Sequence, residues 1–226
     1  MRSRGGFVVL LGLCSAAAMR PLRILALHGK GGTGATFRRG LGPLIDALGP
    51  GAEVRCPDAP LAGNAWWLPM PANARSYTAD AFDGVDESLD SLVRCADGEP
   101  FDAIVGHSQG AMLAAVILAQ RLDGDARARA ILTATAPGVL SGAAWPKPFA
   151  ALLLRAEASA VTAAAPTLHC VGAADDVNPP EMARRVAAVF SPTSRVFEHA
   201  GGHILPLDED ALREMTDLLR GAAARR

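Results

Sequence analysis

The stretch Gly106-His107-Ser108-Gln109-Gly110 constrains the fold of this chain more than any other. It joins a short apolar run at 101–105 to a nearly continuous apolar segment at 111–122. The run reads as a buried strand and the segment as a buried helix. A serine between them stands on a sharp strand-to-helix turn, where crowding leaves room for glycine two positions before it and two after. The helix that starts there points its first amides, that of Gln109 among them, at any negative charge that develops beside Ser108.

The remaining chain supplies what such a strand and helix need around them. From Pro21 onward, short apolar runs alternate with helix-period segments, the pattern of a parallel sheet covered by helices. Strands are expected at 22–27, 53–56, 101–105, 130–135, 167–171 and 195–198. One helix is expected to include Phe37, Leu41, Leu44, Ile45 and Leu48 and to end at Gly49. Others are expected at 80–94, 111–122, 149–158, 182–190 and 208–219. Pro57 opens an irregular stretch that holds Trp66 and Trp67. Without a repeat, a low-complexity tract or a linker, residues 21–226 are expected to form one domain with little or no cap.

Composition excludes several classes. Half the residues are apolar, a fifth are charged and the net charge is −1, so no electrostatic field favours nucleic acid or an acidic membrane surface. Cys14, Cys56, Cys95 and Cys170 form no Cys-x-x-Cys pair, which argues against a zinc site or a disulfide framework. Residues 1–20 stand apart: Arg2 and Arg4 precede a short apolar stretch and a small-residue end, as in a secretory signal peptide or an organelle-targeting presequence. The apolar stretch is too short for a stable membrane span. An upstream extension without function, with Met19 as the start, explains it equally.

Two further side chains complete a catalytic set. His203 follows Gly201-Gly202 just beyond the last expected strand, where glycines let the chain swing the imidazole over the sheet edge. Asp175 lies three residues past Gly172, after the strand at 167–171, and the carboxyl ends of parallel strands are where such sheets build their sites. Asp176 competes with it. The order serine, acid, histidine is that of the α/β-hydrolase fold, with a mostly parallel central sheet flanked by helices. In that fold the loop after the first strand, here His28-Gly29-Lys30, supplies a second oxyanion amide, most simply that of Lys30. The Lys30 side chain is then incidental and solvated. His28, His107, His169 and His199 are expected to be structural. No histidine pair shows metal-ligand spacing, and no cofactor is expected.

Taken together, Leu27-His28-Gly29, the Ser108 pentapeptide, Pro166-Thr167-Leu168-His169 leading to Gly172 and Asp175, and Gly201-Gly202-His203 with Pro206 resemble the FSH family of small serine hydrolases. The Trp66-Trp67 pair also resembles a tryptophan-bearing segment of that family. The resemblance implies hydrolysis of carboxylic esters or thioesters by Ser108, His203 and Asp175 in a cytoplasmic enzyme. It also implies small-molecule substrates, which some fungal members take from acyl carrier proteins. Members typically carry Phe where this chain has His107, and an acidic residue where it has Ala173. Trp66 and Trp67 are expected to line the substrate pocket.

Two rival readings remain. Gly29-Lys30-Gly31-Gly32-Thr33-Gly34 is a literal Gly-x-Gly-x-x-Gly after a first strand, and Asp58 follows the second, as in a dinucleotide-binding module. That reading leaves Ser108, Asp175 and His203 unexplained. A hydrolase fold that binds a ligand without turnover is the other, and activity alone separates it. Because the first strand begins near Leu22, a chain started at Met19 is expected to keep its melting temperature and activity; loss of soluble expression would show that the apolar stretch packs on the fold.

Overall fold

The structure is a computed structural model that describes residues 20–159 and 165–223. The presequence reading of residues 1–20 therefore lies outside it, apart from Arg20, which bonds the Asp102 carboxylate at 2.8 Å. The central sheet has six parallel strands among the described residues, in the order β2-β1-β5-β6-β7-β8. They are β1 (Leu22–Leu27), β2 (Ala52–Arg55), β5 (Ala103–His107), β6 (Gly138–Ser141), β7 (Thr167–Gly172) and β8 (Ser194–His199). Strand alternation splits the core in two. Leu25, Leu27, Ile104 and Leu140 face one layer of helices, and Ile24, Ala26, Val105 and Val139 face the other.

The first layer contains α3 (Val85–Ala96), α4 (Gln109–Leu122), α5 (Ala126–Ile131), α6 (Ala150–Ala158) and α7 (Pro180–Val189). The second contains α1 (Gly34–Gly40), α2 (Gly42–Leu48) and α8 (Glu209–Ala223). Helix α4 is apolar on every side because it is covered on every side: each residue from Gln109 to Ala119 is buried. No helix of the described residues is long and apolar enough to cross a membrane.

Three expectations need correction. The run at 130–135 is not a strand. Asp125 caps the N-terminus of α5 by accepting from the Ala128 amide at 2.9 Å, so Ala130 and Ile131 end a helix, and the strand beside β5 is β6. The single helix through Leu41 is two: Pro43 has no amide to continue α1 and begins α2 instead. The helix expected from Asp80 starts after Gly84, whose φ of 77° turns the chain. The residues before it form β4 (Ala81–Asp83), which pairs antiparallel with β3 (Leu68–Met70). This ribbon forms a small wall over the carboxyl edge of the sheet.

Burial fixes the charge state of two sheet histidines. His169, in β7, is fully buried, and desolvation pushes its pKa down to about 3. His107, at the end of β5, is pushed down to about 4 by burial and then by the neighbouring His203. Both lie below the unfolded value, so the unfolded chain binds more protons in acid; the stability they contribute is complete above about pH 6.5 and is lost as pH falls toward 4 and 3. His107→Phe is expected to recover on the order of 1–2 kcal/mol of the stability lost at pH 5, read from urea midpoints at pH 7 and 5.

Candidate active site

Ser108 is set where β5 ends and α4 begins, with φ 54° and ψ −119°. Such a conformation costs an L-residue on the order of 1–3 kcal/mol and persists where the surroundings fix it. Here the Ser108 amide donates to the Ser141 carbonyl at 2.9 Å, tying the elbow to β6. The elbow also packs without clearance: a Cβ on Gly110 would run into the Leu27 carbonyl of β1. The serine hydroxyl is thereby raised at the carboxyl edge, next to the point where the chain order reverses between β1 and β5.

His203 meets it from the loop after β8. Its Nε2 lies 2.8 Å from Ser108 Oγ, and its Nδ1 lies 2.7 Å from Asp175 Oδ2. An ionised carboxylate only accepts, so Nδ1 carries the proton and Nε2 is left to accept from the serine hydroxyl. The other oxygen of Asp175 accepts from the amides of Val177 at 3.0 Å and Asn178 at 2.8 Å, which holds the carboxylate in place. Asp175 is buried, whereas Asp176 is exposed to solvent. The structure thus brings Ser108, His203 and Asp175 together and leaves Asp176 outside.

Several further residues support this arrangement without a signal in the sequence pattern. Gly142, with φ 60°, lies under the imidazole, where a Cβ would stand 3.0 Å from both Nδ1 and Cε1 of His203. Asn178 donates from Nδ2 to the Gly142 carbonyl at 2.7 Å, and Ser141 Oγ donates to the Ile204 carbonyl at 3.0 Å. Ser141 and Gly142 stand at the end of β6, where the sequence pattern predicts no strand, and Asn178 lies in the loop after β7. His107 packs its ring against that of His203, centroids 5.0 Å apart.

The loop after β1 lies opposite. Gly31 and Gly32 commit their amides to the carbonyls of Asn64 and Gly29, at 3.1 and 3.0 Å, and the Lys30 amide has no backbone partner among the described residues. Gln109, at the first position of α4, leaves its amide equally open. His28 accepts the Ala59 amide at Nε2 (3.1 Å), so its Nδ1 donates to the Gly29 carbonyl at 2.8 Å and fixes the loop from within.

Trp66 and Trp67 are corrected from pocket walls to core. Both are completely buried and neither lines the cleft at Ser108. Trp66 donates from its indole to the His28 carbonyl at 2.8 Å, and Trp67 stacks on Phe82 with centroids 4.6 Å apart. The Gln109 carboxamide accepts the Trp66 amide at 2.8 Å and donates to the Trp67 carbonyl at 2.9 Å, pinning the pair to the start of α4. The dinucleotide reading fails on similar grounds. Asp58, which would hold a ribose, accepts the Gly34 amide at 2.7 Å and so occupies the start of α1. Among the described residues, no cluster of three or more His, Cys, Asp or Glu side chains is placed to hold a metal ion.

A sheet-edge serine on a strained elbow, facing a histidine held by a buried carboxylate, defines an α/β-hydrolase. Residues 18–215 match the family described as Serine hydrolase (FSH1), and the chain belongs to that family. It is 30% identical to esterase OVCA2 of Danio rerio, over 88% of this chain and 97% of that protein. It is 31% identical to esterase OVCA2 of Homo sapiens, over 84% of this chain and 92% of that protein. Its fold is also similar to that of acyl-protein thioesterase 2 of Zea mays, with a TM-score of 0.70 and 21% identity over 92% of this chain and 96% of that one.

The carboxylate that meets His203 should matter far more than its neighbour. Asp175→Asn is expected to lower kcat on the order of 10⁴-fold by releasing the imidazole into the wrong tautomer. Asp176→Asn is expected to keep most activity, with both variants folded by circular dichroism. The reverse pattern would move the role by one residue.

Proposed function

We propose that this serine hydrolase cleaves carboxylic esters or thioesters through an acyl-enzyme on Ser108. The observation that carries the reading is the unbroken hydrogen-bonded line from Asp175 through His203 to Ser108 Oγ, at 2.7 and 2.8 Å. The family match and the names of its esterase relatives support the same chemistry.

The geometry supports the following steps. His203 Nε2 takes the Ser108 proton as Oγ attacks the carbonyl carbon. The resulting oxyanion is held by the amides of Gln109 and Lys30, and the positive end of α4 lies behind the first of them. Collapse expels the alcohol or thiol, which leaves with the proton from His203. Water then gives a proton to His203 as it attacks the acyl-serine carbonyl; collapse breaks the bond to Oγ, His203 returns the proton to Ser108 Oγ, and the carboxylic acid is released. Asp175 accepts throughout from Nδ1 and stabilises the imidazolium formed in each half-reaction. Because the line is already assembled, turnover is favoured over passive ligand binding.

Residues 21–226 are proposed to act as the catalytic domain without the segment before them. A fluorophosphonate probe is expected to label Ser108 in the wild type and to leave Ser108→Ala unlabelled, with hydrolysis of 4-nitrophenyl butyrate falling to background in that variant. Labelling at another residue, with turnover surviving the substitution, would overturn the assignment.

A further inference from the structure

The nucleophile stands between two depressions. One, of about 360 Å³, runs toward Phe37 and Thr36; the other, of about 500 Å³, runs under the β3–β4 ribbon toward Arg75, Ser76 and Asn178. Ser108, His203 and Lys30 border both.

The charges of the larger depression are one-sided. Lys30 and Arg75 line it, and no carboxylate does. Both side chains are exposed, and neither forms an ion pair or side-chain hydrogen bond among the described residues. Their neighbourhood does not lack acids that could have neutralised them: Lys147, close by in the fold, is held by Asp80 at 2.8 Å. The acid closest to the chemistry, Asp175, is turned away behind His203 and saturated by two amides and the imidazole. The acceptor oxygen of the Gln109 carboxamide is likewise spent, on the Trp66 amide. A substrate entering this side meets two uncompensated cations in a chain whose net charge is −1. In open water a single such cation contributes little, but two that converge on one bound group in a partly enclosed cleft act together on it.

We propose that the larger cleft selects esters that carry an anionic group, a carboxylate or phosphate, a few atoms from the scissile carbonyl, with Lys30 and Arg75 as its counter-charges. The inference rests on the hydrolase reading above and gives the Lys30 side chain a role beside that of its backbone amide. It names the substrate's charge, which the triad leaves open.

The test separates charge on the acyl side from charge on the alcohol side. Mono-4-nitrophenyl adipate is compared with 4-nitrophenyl methyl adipate, and 4-(butyryloxy)benzoate with its methyl ester. In the arm whose charge reaches the cleft, the anionic ester is expected to be preferred about tenfold in kcat/KM, chiefly through a lower KM. The preference should shrink at about 0.5 M salt, where the Debye length is only a few ångströms. Arg75→Met is expected to remove most of that preference and Arg75→Lys to retain it. Equal or lower rates for both anionic esters, while the neutral esters are hydrolysed in a Ser108-dependent way, would overturn the inference and leave the hydrolase reading standing. A preference that survives Arg75→Met combined with Lys30→Met would overturn it as well. Failure to hydrolyse any of the four esters would defeat both.

Discussion

The backbone at Ser108 departs from ordinary geometry, and the sheet around it exists in the form needed to hold that departure. With φ 54° the residue points its hydroxyl out of the strand line, and relaxing it would swing Oγ away from His203. Three neighbours prevent relaxation. β6 accepts the Ser108 amide, β1 presses its Leu27 carbonyl against Gly110, and α4 is buried from Gln109 to Ala119. The strain is therefore carried by the strands on either side of β5 and by the helix layer on one face of the sheet. This is why a chain of this size invests its most apolar helix directly behind one serine.

The five histidines show how the same side chain is assigned different work by its surroundings. His169 and His107 are kept neutral by burial, and His28 is fixed as a tautomer by one amide and one carbonyl. His199 is also pushed down by burial, with Asp208 opposing the shift. His203 alone stands between a carboxylate and a hydroxyl. Residue type carried none of these distinctions; chain position after a strand and beside glycines carried the last.

Legibility in the sequence followed the range of the interactions. Strands β1, β5 and β7 and helix α4 were readable because apolar runs of the right length lie between turn residues. The Ser108, Asp175 and His203 positions were readable because each is tied to a local turn at a strand end. The run at 130–135 was misread because an apolar stretch of that length suits a strand or a helix end equally, and the deciding cap, Asp125, precedes it. That error hid Ser141 and Gly142, which act on residues far along the chain. The β3–β4 ribbon, with three residues in each strand and Pro69 in one, offers no periodicity. Trp66 and Trp67 were placed in the pocket because two large aromatics in a Pro-rich stretch give the same signal whether they face a ligand or plug a core.

Gln109 joins these parts. Its side chain needs a donor on one atom and an acceptor on the other, and the strap at Trp66 and Trp67 supplies both. Until that strap has docked, the first residue of α4 would bury a carboxamide with nothing to bond, beside the serine whose strain depends on the same helix. The segment at Trp66 and Trp67 therefore satisfies the same residue that begins the helix holding the elbow. The aromatic pair that plugs the core and the turn that raises Ser108 thus share one side chain, so a change in the packing of either is felt by the other.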